Sequence, residues 1–503
     1  MEKRLFAMFS YGIDQLTTHK VLALAKGELK GILSSEAIEK VDACRKKVET
    51  MAASDKAVYG INTGFGPLCD TQISPDQTSK LQENLLITHA VGVGNPIDKE
   101  LSKIMMICKV HALCQGFSGV RLTLIERILF FIDNDLLPVV PEQGSVGASG
   151  DLAPLAHLFL PLLGEGEFWD GDEISPAKEV LKAHNLVPLK LLAKEGLGLI
   201  NGTQFILAHT IYGLLKMEYL LDLADVSGAM SLEGYQGSAS PFKEELHTIR
   251  PYTGTLKVAK RMRMLLNDSE NLSSHLACDR VQDPYSLRCI PQVHGASRNA
   301  FLHLRELAEI EMNSVTDNPI VLTDEIAISG GNFHGQPLAM ALDYASIAVS
   351  ELGNISDRRC YLLLEGQYGL PRLLTESGGL NSGYMIPQYT TAALVTENKS
   401  LCFPPSADSI PTSLGQEDHV SMGSISGRQF NQILVNLEKI LAIELMYGAQ
   451  AMEFRRPHTA SDILEENFKL IRTKVPKLED DRVLKDDIYE MIELVRSQAF
   501  RVN

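Results

Sequence analysis

One stretch near the C-terminus limits the fold before composition is considered. Phe430, Ile433, Leu434, Leu437, Ile440, Leu441 and Leu445 recur at three- and four-residue steps. That spacing lays one apolar stripe along an α-helix, whereas a strand would alternate faces. Residues 205–224 and 340–364 are apolar over much of a helical circumference. A helix of that kind is buried within a bundle or against other subunits. The clearest strand pattern is Ile320-Val321-Leu322, then Thr323-Asp324-Glu325, then Ile326-Ala327-Ile328, which predicts a short hairpin. The chain is therefore predicted to be mainly α. A long central and C-terminal helical bundle is expected over residues 111–503, with a smaller mixed globular region over residues 1–110. No internal repeat or low-complexity tract breaks this organisation.

The charge balance excludes one large class of partner. The 503 residues carry 47 Lys plus Arg against 63 Asp plus Glu, a formal charge of −16. Such a field repels a phosphate backbone unless a local basic patch overrides it. The nearest such patch, Arg45-Lys46-Lys47, is only three residues long, so no nucleic acid partner is expected. Eight cysteines (Cys44, Cys69, Cys108, Cys114, Cys278, Cys289, Cys360 and Cys402) are scattered without a CxxC pair, which points to a reducing compartment. The apolar run at residues 5–9 is too short for a signal-peptide core. The longest apolar runs stop well before the roughly 20 residues of a membrane span. A cytoplasmic location with no membrane partner is the expectation.

Standard cofactor and hydrolase motifs fail. GxxxxGK[ST] and GxSxG are absent, and Gly196, Gly198 and Gly202 miss the dinucleotide spacing by one residue. No two of the thirteen histidines fall at the HExxH spacing, and no metal site is expected.

The stretch that carries chemistry is Gly144-Ser145-Val146-Gly147-Ala148-Ser149-Gly150-Asp151-Leu152-Ala153-Pro154-Leu155-Ala156-His157. Its plainer reading is a flexible turn with Asp151 as the N-cap of a helix over residues 152–163. Its sharper reading is self-cyclisation. A tight turn presses the Gly150 amide nitrogen against the Ala148 carbonyl carbon, an approach glycine permits because it lacks a Cβ. Loss of water closes a five-membered ring, and loss of the Ser149 hydroxyl leaves an exocyclic methylene. The product is an electrophile that no ordinary side chain supplies.

The run Gly147-Ala148-Ser149-Gly150-Asp151-Leu152-Ala153-Pro154-Leu155 resembles that of the aromatic amino acid ammonia-lyases. Five further blocks extend the resemblance, in the family's order. They are Tyr59-Gly60-Ile61-Asn62-Thr63-Gly64-Phe65-Gly66, residues 85–92, residues 196–204, residues 281–289 and Gly330-Gly331-Asn332-Phe333-His334-Gly335. The resemblance implies that Ala148-Ser149-Gly150 becomes a 4-methylideneimidazole-5-one (MIO) group. Ala148 and Gly150 would be joined as a 5-imidazolinone and Ser149 converted to a 2,3-didehydroalanine, with no external cofactor. It also implies a homotetramer whose active sites combine residues from more than one subunit.

Ammonia elimination needs an activated amine and a base at the substrate Cβ. The resemblance makes Tyr59 the first choice of base, which requires surroundings that lower an ordinary pKa of about 10. A plainer role for Tyr59 is to cap its glycine-rich loop. Tyr285 and Arg288 are three apart and would share a face of a helical turn. By resemblance Arg288 grips the substrate carboxylate in a bidentate fork, while Tyr285 supports the prosthetic group or the proton transfer. Asn201 and Gln204 match residues that hydrogen-bond the prosthetic carbonyl or the carboxylate, and Phe333 matches the aromatic beside the ring.

Two stretches carry specificity. Thr88-His89 and Gln416-Glu417-Asp418-His419-Val420-Ser421-Met422 are similar to the histidine-specific branch of the family, which implies conversion of L-histidine to trans-urocanate. An imidazole presents two nitrogens, and His89 and Glu417 could each hydrogen-bond one. A buried carboxylate facing a phenyl ring would be left unpaired at considerable cost. Glu417 is a further candidate for the base. Three departures stand out: Thr88 where Ser is usual, His294 where Met is commoner, and Gly335-Gln336 in place of Ala-Glu.

Overall fold

The computed structural model describes residues 8–54, 56–66, 71, 73–275, 281–323 and 326–503. Among these, nineteen α-helices dominate, and eight strands of two to four residues form only two-stranded pairs. The chain is mainly α, as the periodicity predicts. The seven-residue stripe lies on the helix Gly423–Glu453, and every one of its members is fully buried. Residues 205–224 fall in Gln204–Tyr235 and residues 340–364 in Gln336–Leu364. The latter is less buried than its composition implies, because Tyr344, Ile347 and Tyr361 are about half exposed on one face. The expected hairpin is present, with Ile320 opposite Ile328 and Val321 opposite Ala327. Its turn residues Asp324 and Glu325 lie outside the described residues. Three other strand pairs give no period-2 signal because each strand is too short to show one. No helix among the described residues is long and apolar enough to cross a membrane.

The chain divides into two compact units. The first comprises Met1–Tyr212, Arg305–Leu342 and Pro404–Arg428; the second comprises Gly213–Leu304, Asp343–Phe403 and Gln429–Asn503. In the first unit the helices Pro75–His89, Leu152–Phe159 and Glu195–Ile200 pack on one another. They bring Thr88-His89, the Ala-Ser-Gly turn and the loop at 201–204 to one region.

The second unit is organised by buried ions. Glu444 accepts hydrogen bonds from Ser231 Oγ at 2.8 Å, Ser356 Oγ at 2.6 Å and Arg359 Nη2 at 2.9 Å. Asp225 accepts from Arg261 Nε at 2.7 Å and lies 2.8 Å from His294 Nδ1, with Arg298 also bonded. Burial alone would raise both carboxyl pKa values, but their cationic and hydroxyl partners hold them below the usual range. Desolvating such groups is tolerated only because every oxygen is matched. His294, one of the departures, therefore has a local explanation as a partner for Asp225. Arg359→Met would strand the Glu444 charge in an apolar interior. It is expected to cost about 3–5 kcal/mol of stability, measurable by chemical denaturation. A loss below about 1 kcal/mol would show that the pair is dispensable.

Candidate active site

The Ala148-Ser149-Gly150 turn is held by a backbone approach. Gly150 forms a parallel bridge with Gly202. The Asp151 N–H donates to the Gly202 carbonyl at 2.8 Å, and the Gly202 N–H donates to the Ser149 carbonyl at 3.4 Å. Gly150 has φ +78°, and a Cβ placed there would lie 2.1 Å from the Gly202 oxygen. A Cβ on Gly147 would lie 2.2 Å from Ser421 Oγ. Only glycine allows this meeting. Ala148 packs in a small apolar cluster with Val420 and Met422.

Asp151 precedes Leu152–Phe159 as the plainer reading predicts, but its side chain does not cap that helix. Its Oδ2 instead accepts the Phe205 and Ile206 N–H groups, both at 3.0 Å, at the start of Gln204–Tyr235. Burial raises its pKa to about 7 against the lowering effect of those amides. The helix expected over 152–163 ends as α at Phe159 and continues as a 3-10 turn, Leu160–Leu163. Pro161 has no N–H with which to extend the α-helical ladder.

Ser149 is half-buried, and its Oγ donates to Glu417 Oε1 at 2.9 Å. Glu417 Oε2 accepts from Thr412 Oγ1 and Ser413 Oγ, each at 2.9 Å. These hydroxyls fix the carboxylate toward the turn. His89 ends the helix Pro75–His89, with Nδ1 3.2 Å from Thr88 Oγ1. Burial lowers the His89 pKa, while the Leu85 carbonyl and the Glu417 charge work in the opposite direction. The Glu417 charge thus acts on the His89 ring.

Asn201 and Gln204 are buried. Gln204 Nε2 donates to Thr316 Oγ1 at 3.0 Å, whereas its Oε1 has no hydrogen-bond partner among the described residues. Phe333 is half-buried beside His334, whose Nε2 lies 3.3 Å from the His419 carbonyl. That contact ties the Phe333 loop to the Glu417 loop. Tyr59 is half-buried, and the Gly66 N–H reaches its hydroxyl at 3.5 Å, a contact that the loop-capping role also requires.

Tyr285 and Arg288 belong to the second unit; the other nine predicted residues belong to the first. They occupy one helical turn as predicted, with the guanidinium 4.4 Å from the Tyr285 ring centre. Tyr285 is 70% exposed, and Arg288 borders an 850 Å³ cavity with His275, Asp283 and Gln292. Residues that the sequence reading missed include Lys109, Thr412, Ser413 and Thr316. Lys109 had a signal: it is the lone charge in Ile104-Met105-Met106-Ile107-Cys108-Lys109-Val110.

Residues 16–473 match the aromatic amino acid lyase family. The chain belongs to that family and is a carbon–nitrogen lyase. It is 45% identical over 487 residues to a histidine ammonia-lyase of Myxococcus xanthus, covering 96% of both chains. It is 46% identical over 485 residues to a histidine ammonia-lyase of Symbiobacterium thermophilum, covering 96% of this chain and 95% of that one. The crystal structure of histidine ammonia-lyase from Trypanosoma cruzi superposes with a TM-score of 0.90 at 40% identity, covering 98% and 94%. A tyrosine aminomutase from Streptomyces globisporus shares the fold at 33% identity and a TM-score of 0.92, covering 98% and 97%.

The tightness of the turn is directly testable. Gly150→Ala combines an unfavourable φ with a backbone overlap. It is expected to destabilise the protein by at least about 1–3 kcal/mol, seen as a lowered melting temperature. An unchanged melting curve would argue against so close an approach.

Proposed function

We propose that this lyase eliminates ammonia from L-histidine to give trans-urocanate, using an MIO group built from Ala148, Ser149 and Gly150. The observation that carries the reading is the Ser149–Glu417 hydrogen bond, which spans 268 positions. It joins the self-condensing turn to the segment that the resemblance associates with an imidazole substrate. Identities of 42–46% with relatives named histidine ammonia-lyase, over nearly the full chain, support the same substrate.

The surroundings suit such a group. A ring needs Gly150 free of a Cβ, and the Gly202 backbone occupies the space that a Cβ would take. The Ser149 carbonyl already receives the Gly202 N–H, and the unpartnered Gln204 Oε1 is available to a donor on a ligand. When formed, the group supplies an electrophilic carbon toward an amine. The remaining tasks fall to the chain's own residues. Glu417 and His89 recognise the imidazole nitrogens, and Glu417, Tyr59 or Tyr285 takes the Cβ proton. Arg288 holds the substrate carboxylate; its Nε has no hydrogen-bond partner among the described residues. Asn201, Gln204 and Phe333 line the site. A homotetramer with shared sites forms part of the proposal, supported by the half-exposed Tyr344, Ile347 and Tyr361 on one helix face. A cytoplasmic location is supported by the free state of the six described cysteines.

Intact-mass measurement of the purified protein should show a deficit of two waters. An ordinary linear mass would overturn the assignment. Ser149→Ala should lower turnover by roughly 10³-fold or more while preserving the helical signal in circular dichroism. Glu417→Ala should reduce urocanate formation by roughly 10²–10³-fold with little effect on melting temperature. Product absorbance decides the substrate: urocanate is expected, and cinnamate or coumarate as the preferred product would sink the histidine reading.

A further inference from the structure

The helix Lys99–Leu113 is buried over most of its length, and Lys109 is 1% exposed. Among the described residues it forms no ion pair. Its Nζ donates to the carbonyls of Gly198 at 3.2 Å and Asn201 at 2.5 Å. These carbonyls end the short helix Glu195–Ile200, where acceptors lack helical partners and a cation is favoured. Capping alone explains the contact with Gly198. The Asn201 contact leads further.

The Asn201 C=O and the Gly202 N–H belong to one peptide plane and point in opposite directions. Lys109 donates to the first, and the second donates to the Ser149 carbonyl at 3.4 Å. Hydrogen bonds in series polarise one another, most strongly in a dry interior. We propose that Lys109 is a positioning residue of the reaction, directing and strengthening through the Asn201–Gly202 peptide the N–H that holds the Ser149 carbonyl oxygen. The inference rests on the reading in which Ser149 becomes the electrophilic centre. Its carbonyl is then conjugated with the exocyclic carbon, and charge gathers on that oxygen when an amine adds. A donor fixed there beforehand favours the addition.

The electrical surroundings are consistent with a costly group kept for a purpose. Burial is the largest influence and pulls the Lys109 pKa down to about 7; Asp317 and Asp151 favour its charged form and Lys194 opposes it. Lys194 is itself paired with Asp317 at 2.7 Å, and the other Asp317 oxygen accepts from Ser118 Oγ at 2.9 Å. Lys109 is thus the cation of this cluster left to the backbone of the Asn201 loop.

The test compares Lys109→Met and Lys109→Arg with the parent enzyme. The readout is the rate of trapping by sodium borohydride, in which hydride adds to the exocyclic carbon and water supplies a proton. Intact mass follows the gain of two hydrogens. Lys109→Met should react roughly tenfold more slowly, with kcat falling in parallel and KM within about twofold. Lys109→Arg, which restores a cationic donor, should recover most of the rate. Should Lys109→Met fail to accumulate, Lys109→Gln takes its place with the same outcomes. Equal trapping rates in parent and neutral variant would overturn the inference. So would a folded variant that stays two waters heavy, since the lysine would then act in ring closure. A parent protein without the two-water deficit would instead sink the function proposed above, so the two failures are distinguishable.

Discussion

The approach of Gly150 to Gly202 is the constraint on which the rest of the site depends. Two backbones meet with no side chain between them, and the hydrogen bonds on either side of Gly202 fix the turn from both edges. That contact sets where Ser149 projects, and hence which group its hydroxyl reaches. Asp151 binds the first amides of Gln204–Tyr235, so the turn is tied to the start of a long helix. Preorganisation of this kind holds reacting atoms in place before any substrate arrives, which is where much of the rate advantage of an enzyme originates.

Buried charge serves different ends in the two units. In the second, Glu444 and Asp225 are surrounded by matched cations and hydroxyls, and their partners lie on several helices. In the first, Lys194 and Asp317 are paired in the same way, but other charged groups are held more loosely. Lys109 faces carbonyls, Asp151 faces amides, and Glu417 is held by hydroxyls. Groups without a full counter-charge are poised to respond to charge that develops nearby, and such clusters gather where chemistry is carried out.

Much of this was legible in the residues. The stripe from Phe430 to Leu445 identified a buried helix because its period is intrinsic to the α-helix and needs no knowledge of neighbours. The Ala-Ser-Gly run is legible because a glycine after the serine permits the backbone approach that ring closure needs. The spacing of Tyr285 and Arg288 already placed both on one turn. The short strand pairs were invisible, since two to four residues cannot display an alternation. The plainer reading of Asp151, a cap for the helix that follows it, is the local choice, whereas its side-chain partners lie 54 and 55 positions away.

The sequence by itself determined the helical class, and it singled out the tripeptide and the side chains proposed to meet an imidazole. These follow from local periodicity and from the reactivity of particular side chains, which a linear string records. Tertiary structure alone decided that Ser149 meets Glu417 and that Lys109 stands behind the Asn201 loop. Each of these depends on where the chain returns after scores of residues. That return is set by the summed packing of helices, and no short window of sequence contains it.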